Sequence, residues 1–95
     1  MQPMKRAGTV AERTLEILYD VAGDDEVLRD LDVPLFESGL LDSLGVVRLM
    51  VAFEDVFGLV VSPAELDRQS WSTPRSMIAD IERRLGGVEP ARGLR

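Results

Sequence analysis

Between Asp42 and Gly58 the apolar residues recur at helical spacing. Val46, Leu49, Met50, Phe53, Val56 and Phe57 stand at i, i+3, i+4, i+7, i+10 and i+11. That is one face of an α-helix, whereas the face of a strand repeats every second residue. The spacing predicts a helix over 43–57 whose stripe faces a core, ended by Gly58. Leu44, Val47 and Val51 form a second apolar line at i, i+3 and i+7, rotated from the first and running beside Arg48, Glu54 and Asp55. A helix with apolar residues on two sides is either buried twice, here beneath a loop, or carries a binding patch on one of them.

Three further helices are expected. Thr9 with Glu12 is a capping box, and Val10, Thr14, Ile17, Leu18 and Val21 fall on one helical face before Gly23. Ser62-Pro63-Ala64-Glu65 predicts a short helix reaching about Gln69, with serine as cap and proline at the first position. Thr73-Pro74 repeats that signal ahead of Met77, Ile78, Ile81 and Leu85, and Gly86-Gly87 is the stop. Residues 24–42 show no sustained period and predict a long loop anchored by Val27, Leu28, Leu31, Leu35 and Phe36. So long a loop in a small domain is often functional. Leu59-Val60-Val61 is the only strand-like run and is too short to build a sheet. The expected fold is all-α: four helices, a long first loop and a short third helix.

At 95 residues the chain fits one small domain, with a loose arm at 1–8, a folded unit at 9–85 and a flexible tail at 86–95. Aromatics are only 5%, which suits a small helical core. A net charge of −6 argues against nucleic acid and fits a partner with a basic docking patch. No segment reads as a leader or a membrane span, so the expected compartment is the cytoplasm. The aspartates of the long loop do not match the spacing of an EF-hand calcium site.

The chain contains no histidine and no cysteine. A disulfide framework and ordinary structural zinc are excluded, and so is a hydrolytic Ser-His pair. Ser43, in Gly39-Leu40-Leu41-Asp42-Ser43-Leu44, therefore has two readings. It caps the helix, a role that Asp42 could equally fill. Alternatively, it is the attachment point of a group that brings its own reactivity.

The order helix, long loop, Asp-Ser-Leu, amphipathic helix, short helix, final helix resembles the acyl and peptidyl carrier proteins over Val10 to Leu85. Two segments are similar to those of the D-alanyl carrier proteins. One is Phe36, Gly39, Leu40, Leu41, Asp42, Ser43 and Gly45 in a Phe-x-x-Gly-Leu-Leu-Asp-Ser-x-Gly pattern. The other is Asp67, Arg68, Trp71, Thr73 and Pro74 in an Asp-Arg-x-x-Trp-x-Thr-Pro pattern. The resemblance implies 4′-phosphopantetheine on Ser43, with Asp42 also facing the modifying enzyme. It further implies a carrier, not an enzyme, served by a phosphopantetheinyl transferase, an amino-acid adenylating ligase and an acyltransferase, membrane-bound in the D-alanyl pathway. D-alanine for teichoic-acid esterification is the implied cargo.

The residues agree with that chemistry. A phosphodiester on Ser43 would meet a helix N-terminus, where unpaired N–H groups and the dipole favour negative charge. Leu44, Val47, Arg48 and Val51 are the candidate partner-binding residues. Arg48 departs from the family, where that position is commonly acidic. Trp71 and Phe36 are expected to be packing anchors. A monomer is expected. The alternatives are an aminoacyl or acyl carrier of a secondary-metabolite pathway, or an unmodified helical module that binds a partner helix through Leu44, Val47 and Val51.

Overall fold

The computed structural model describes residues 8–86. Four α-helices appear in them, and no strand is present among the described residues: α1 (Val10–Ala22), α2 (Glu26–Arg29), α3 (Ser43–Phe57) and α4 (Pro74–Arg84), with 3-10 turns at Pro63–Glu65 and Arg68–Trp71. No described helix is long and apolar enough to cross a membrane. The arm expected at 1–8 and the tail expected at 86–95 lie, apart from Gly8 and Gly86, outside the described residues.

Local signals set the ends of the long helices. Thr9 Oγ1 accepts from the Glu12 N–H and Glu12 Oε1 from the Thr9 N–H, each at 3.0 Å, closing the expected capping box. Thr73 begins α4 in the same way, with Ser76 completing a second box and Pro74 in the first turn. Gly23 and Gly58 cap α1 and α3 in the left-handed region.

α1 packs against α2, α3 and α4, so it is the helix around which the others gather. The core lies between these faces. Leu18 comes from α1, Leu49 and Phe53 from α3, Met77 and Ile81 from α4, and Val27 and Leu35 from the connection. Trp71 fills its centre, fully buried, with its ring edge-on to Phe53 at 5.5 Å and 81°. It is the packing anchor expected of it.

The connection 24–42 is not all loop. Glu26–Arg29 makes one helical turn that buries Val27, and Asp24 Oδ1 accepts from the Glu26 N–H at 2.9 Å. A single turn is too short to show a period, so the sequence hides it. Beyond it the chain is tied to residues distant in sequence. The Leu35 N–H donates to the Ser72 carbonyl at 2.8 Å. The Arg75 N–H, one of the unpaired donors of α4's first turn, donates to the Leu31 carbonyl at 2.9 Å. Asp32 and Arg75 add a two-pronged ion pair, Nε to Oδ1 at 2.9 Å and Nη2 to Oδ2 at 3.1 Å.

Three expectations change. Leu28, read as an anchor, is exposed, and Val33 and Leu41 are buried in its stead. Val56, read into the core stripe of α3, lies at its exposed margin, although Val46, Leu49 and Phe53 are buried as expected. The short helix expected from Ser62 to Gln69 is two 3-10 turns. Ser62 makes no side-chain cap, and Leu66 and Asp67 are extended between the turns. Leu66 instead packs on the core, and Asp67 accepts from the Gln69 N–H at 3.0 Å to start the second turn.

Candidate functional site: the N-terminus of α3

The approach to Ser43 is built by the preceding loop. At Phe36–Gly39 the chain turns, with the Gly39 N–H donating to the Phe36 carbonyl at 3.2 Å. Gly39 has a φ of 85°, a conformation glycine adopts without the Cβ clash of other residues. The turn brings the Leu41 N–H to the Leu35 carbonyl at 3.0 Å and drives Leu41 into the core. Asp42 then begins α3.

Asp42 is the cap and Ser43 is not. Asp42 Oδ1 accepts from the Gly45 N–H at 2.8 Å, while Ser43 is the first helical residue. The cap reading of Ser43 is thereby overturned. A residue already inside the helix cannot lend its side chain to the donors that the N-cap serves. The Ser43 side chain stands exposed at the head of the helix.

Gly45 is a positioning residue that the motif contained without explaining. A Cβ there would lie 2.7 Å from Leu41 Cδ1, 3.4 Å from Asp42 Oδ1 and 3.5 Å from Val21 Cγ1. Its bare backbone lets the first turn of α3 settle against Leu41 and the end of α1. Glycine inside a helix costs about 1 kcal/mol relative to alanine, and that unfavourable choice was the available signal of a close approach.

Beside Ser43 runs a shallow groove of about 240 Å³ lined by Val21, Gly39, Asp42, Leu44, Gly45 and Arg48, among others. An exposed primary hydroxyl, a helix N-terminus, a cationic side chain and apolar groups are surroundings that suit a phosphodiester-linked arm. The residues present fit such a group. A larger depression of about 770 Å³, lined by Glu12, Glu16, Tyr19, Asp20 and Leu28 among others, contains none of the motif residues.

The structure brings the candidate partner residues onto one exposed face. Leu44, Val47 and Val51 are 59%, 54% and 63% exposed, which removes the alternative that they lie beneath the long loop. Arg48 is exposed between them. The second motif segment does not reach Ser43. It meets the first at Phe36, where the Arg68 guanidinium lies 4.0 Å from the ring centroid. That stacking holds the half-buried Phe36 as an anchor of the loop. Asp80 went unnoticed in the sequence. It is buried and accepts from Trp71 Nε1 at 2.9 Å and from Arg84 Nε at 2.7 Å, and its other oxygen pairs with Arg83. A lone aspartate on a helix ahead of two arginines reads as a solvated surface charge, so nothing marked it.

Residues 12–81 match the family described as a phosphopantetheine attachment site. The chain is 44% identical over 73 residues to a D-alanyl carrier protein of Enterococcus faecalis, covering 77% of this chain and 94% of that protein. It is 46% identical over 68 residues to the D-alanyl carrier protein of Lacticaseibacillus rhamnosus, covering 72% and 84%. A third, from Bacillus velezensis, is 42% identical over 67 residues, covering 70% and 86%. The matched span contains the loop, α3 and the Trp71 anchor, so the fold and the exposed serine lie within one shared unit. The chain belongs to the phosphopantetheine-bearing carrier proteins and, among them, to the D-alanyl carrier family; it is a carrier and not an enzyme.

Proposed function

We propose that Ser43 carries 4′-phosphopantetheine and that the modified chain carries D-alanine for the esterification of a cell-envelope polymer such as teichoic acid. The exposed hydroxyl of Ser43, left out of helix capping by Asp42, is the observation that carries this reading. When bound, the group supplies a thiol that takes an aminoacyl cargo as a thioester, the chemistry a chain without cysteine lacks.

The chain's own residues hold and present the arm. Asp42 fixes the first turn through Gly45 and orients the hydroxyl toward the transferase. The end of the α3 dipole favours the phosphodiester charge. Leu44, Val47, Arg48 and Val51 form the docking face. The carrier unit spans 9–85 and has the four-helix arrangement of acyl carriers, the 3-10 turns standing where the short third helix would be. It works as a cytoplasmic monomer with a phosphopantetheinyl transferase, an amino-acid adenylating ligase and a membrane acyltransferase in turn.

The test begins with coenzyme A and a broad-specificity phosphopantetheinyl transferase, followed by mass spectrometry. One added group is expected, absent from Ser43→Ala. The modified protein is then offered to a D-alanine adenylating ligase with ATP, and loading is expected. A cognate ligase that loads another amino or fatty acid, and not D-alanine, would retain the carrier and discard the D-alanyl assignment. An unmodified wild-type protein would overturn both.

A further inference from the structure

The depression of about 770 Å³ on α1 contains none of the motif residues and has no part in the carrier reading. Its apolar lining comes from Leu15 and Tyr19 of α1 and Leu28 of α2. Tyr19 and Leu28 are 44% and 46% exposed, and neither packs on the core. Water is left against an aromatic ring and a leucine that the fold does not use.

The same depression is acidic. Glu12, Glu16 and Asp20 line it at i, i+4 and i+8, a single row on α1. Like charges at that spacing repel one another. Asp20 also stands in the last turn of α1, where the helix dipole disfavours an anion and no basic residue is present to offset it. Glu16 and Asp20 have no ion pair among the described residues.

The chain itself supplies the counterpart. Gly8, the first described residue, lines the depression, so residues 1–7 join the fold at its rim. Met1-Gln2-Pro3-Met4-Lys5-Arg6-Ala7 holds two cations, two methionines and no acid. Methionine side chains are flexible and fill irregular apolar hollows. Seven residues can span up to about 24 Å, whereas the row from Glu12 to Asp20 is about 12 Å of helix.

We propose that residues 1–7 double back from Gly8 along α1 and lie in this depression, with Lys5 and Arg6 against the row Glu12, Glu16 and Asp20, and with Met1 and Met4 on Leu15, Tyr19 and Leu28. Exposed ion pairs are weak one at a time, but a segment tethered at the rim meets its site at high effective concentration. Fastened there, it covers the unused apolar groups and offsets the acidic row. Nothing in this contact depends on modification of Ser43.

The experiment uses the full unmodified chain, which has no cysteine of its own, so that Gln2→Cys takes a single nitroxide label. Paramagnetic broadening is then read from amide NMR signals. Those of Glu16, Tyr19 and Leu28 should lose most of their intensity, while those of Val47 and Val51, on the outer side of α3, should keep theirs. The broadening should fade in high salt and in the Lys5→Glu/Arg6→Glu variant, because both remove the attraction. Adding Glu16→Lys and Asp20→Lys to that variant should restore it with the charges exchanged. Broadening that is absent, or spread evenly over the surface, would overturn the proposal. So would broadening that survives the charge reversal, since the cations would then not hold the segment. A labelled chain mixed with an unlabelled, isotopically enriched one should leave the latter's signals sharp. Broadening there would hand the depression to a second copy of the chain and overturn the intramolecular contact.

Discussion

The indole N–H of Trp71 donates to Asp80 Oδ2 at 2.9 Å, and both residues are buried. The bond joins the second 3-10 turn to α4. Asp80 is held in turn by Arg83 and Arg84, and Arg84 Nη2 reaches the Glu65 carbonyl at 3.3 Å. One carboxylate therefore ties both 3-10 turns to the last helix.

Trp71→Phe keeps most of the packing and removes the donor. Leaving a buried charged acceptor one bond short should cost about 1–3 kcal/mol. Asp80→Asn leaves an acceptor for the indole but strips Arg83 and Arg84 of their counter-charge. The two changes share one network, so the double variant should lose less than the sum of the singles. Urea unfolding followed by far-ultraviolet circular dichroism reads all three, and strict additivity would show that the bond does not couple them.

The head of α3 makes a cleaner separation of stability from function. Asp42→Ala removes the cap on Gly45 and should cost about 1 kcal/mol. Ser43→Ala should be nearly neutral, because alanine is the best helix former and no cap is lost. Thermal unfolding of the two variants, alongside the mass-spectrometric test of modification, checks the division. A Ser43→Ala loss as large as that of Asp42→Ala would contradict the register of the cap.

The long helices were legible because their signals are local. Thr9 with Glu12, Thr73 with Pro74, and Gly23 and Gly58 act within a turn of where they stand. The one-turn α2 and the 3-10 turns were not, since they persist through burial of Val27 and Trp71 and through the Leu35–Ser72 hydrogen bond. Those are contacts between segments distant in sequence. At the site, the sequence offered Ser43 as a candidate and the spacing showed a second apolar line on α3, but aspartate and serine cap helices about equally well. Only the backbone register, with the Gly45 N–H on Asp42, separates the two.

Thr14 is fully buried in α1, and its hydroxyl has no hydrogen-bond partner among the described residues. Valine has the same shape without the polar group. Thr14→Val should raise stability by about 1 kcal/mol, or about 4–8 °C in Tm, because it removes an unpaired polar atom from the core. Calorimetry decides it, and a lower Tm would mean the hydroxyl is satisfied in solution.

Asp32 is held below its usual value of 3.8, chiefly by the hydrogen bond from Arg75 and further by its charge, with desolvation opposing. A carboxyl whose folded pKa is depressed stabilises the fold above its unfolded pKa. That contribution is lost as pH falls through the lower folded value. The advantage of wild type over Asp32→Asn should therefore be constant from neutrality down to about pH 4 and shrink below it. Both side chains are largely exposed, so the effect should be small and should weaken in salt. Paired melting curves across that range would show it, and a gap that widens in acid would reverse the assignment.

The two sides of α3 give the sharpest contrast. Leu49 is fully buried and Val47, two residues earlier, is 54% exposed. Leu49→Asp places an unpaired charge among Leu18, Phe53 and Trp71 and should unfold the domain, since such a change exceeds about 4 kcal/mol in a fold of marginal stability. Val47→Asp should leave the melting temperature almost unchanged, because exposed substitutions stay within about 0.5 kcal/mol. It should nevertheless slow loading, since docking would bury the new carboxylate against apolar groups of the partner. Val47→Ala separates the loss of contact from the added charge, and a graded decline from valine to alanine to aspartate is expected. Equal unfolding by Val47→Asp and Leu49→Asp would mean that both sides of the helix are buried in solution. Folded Val47→Asp protein that loads at the wild-type rate would remove this face from the docking surface.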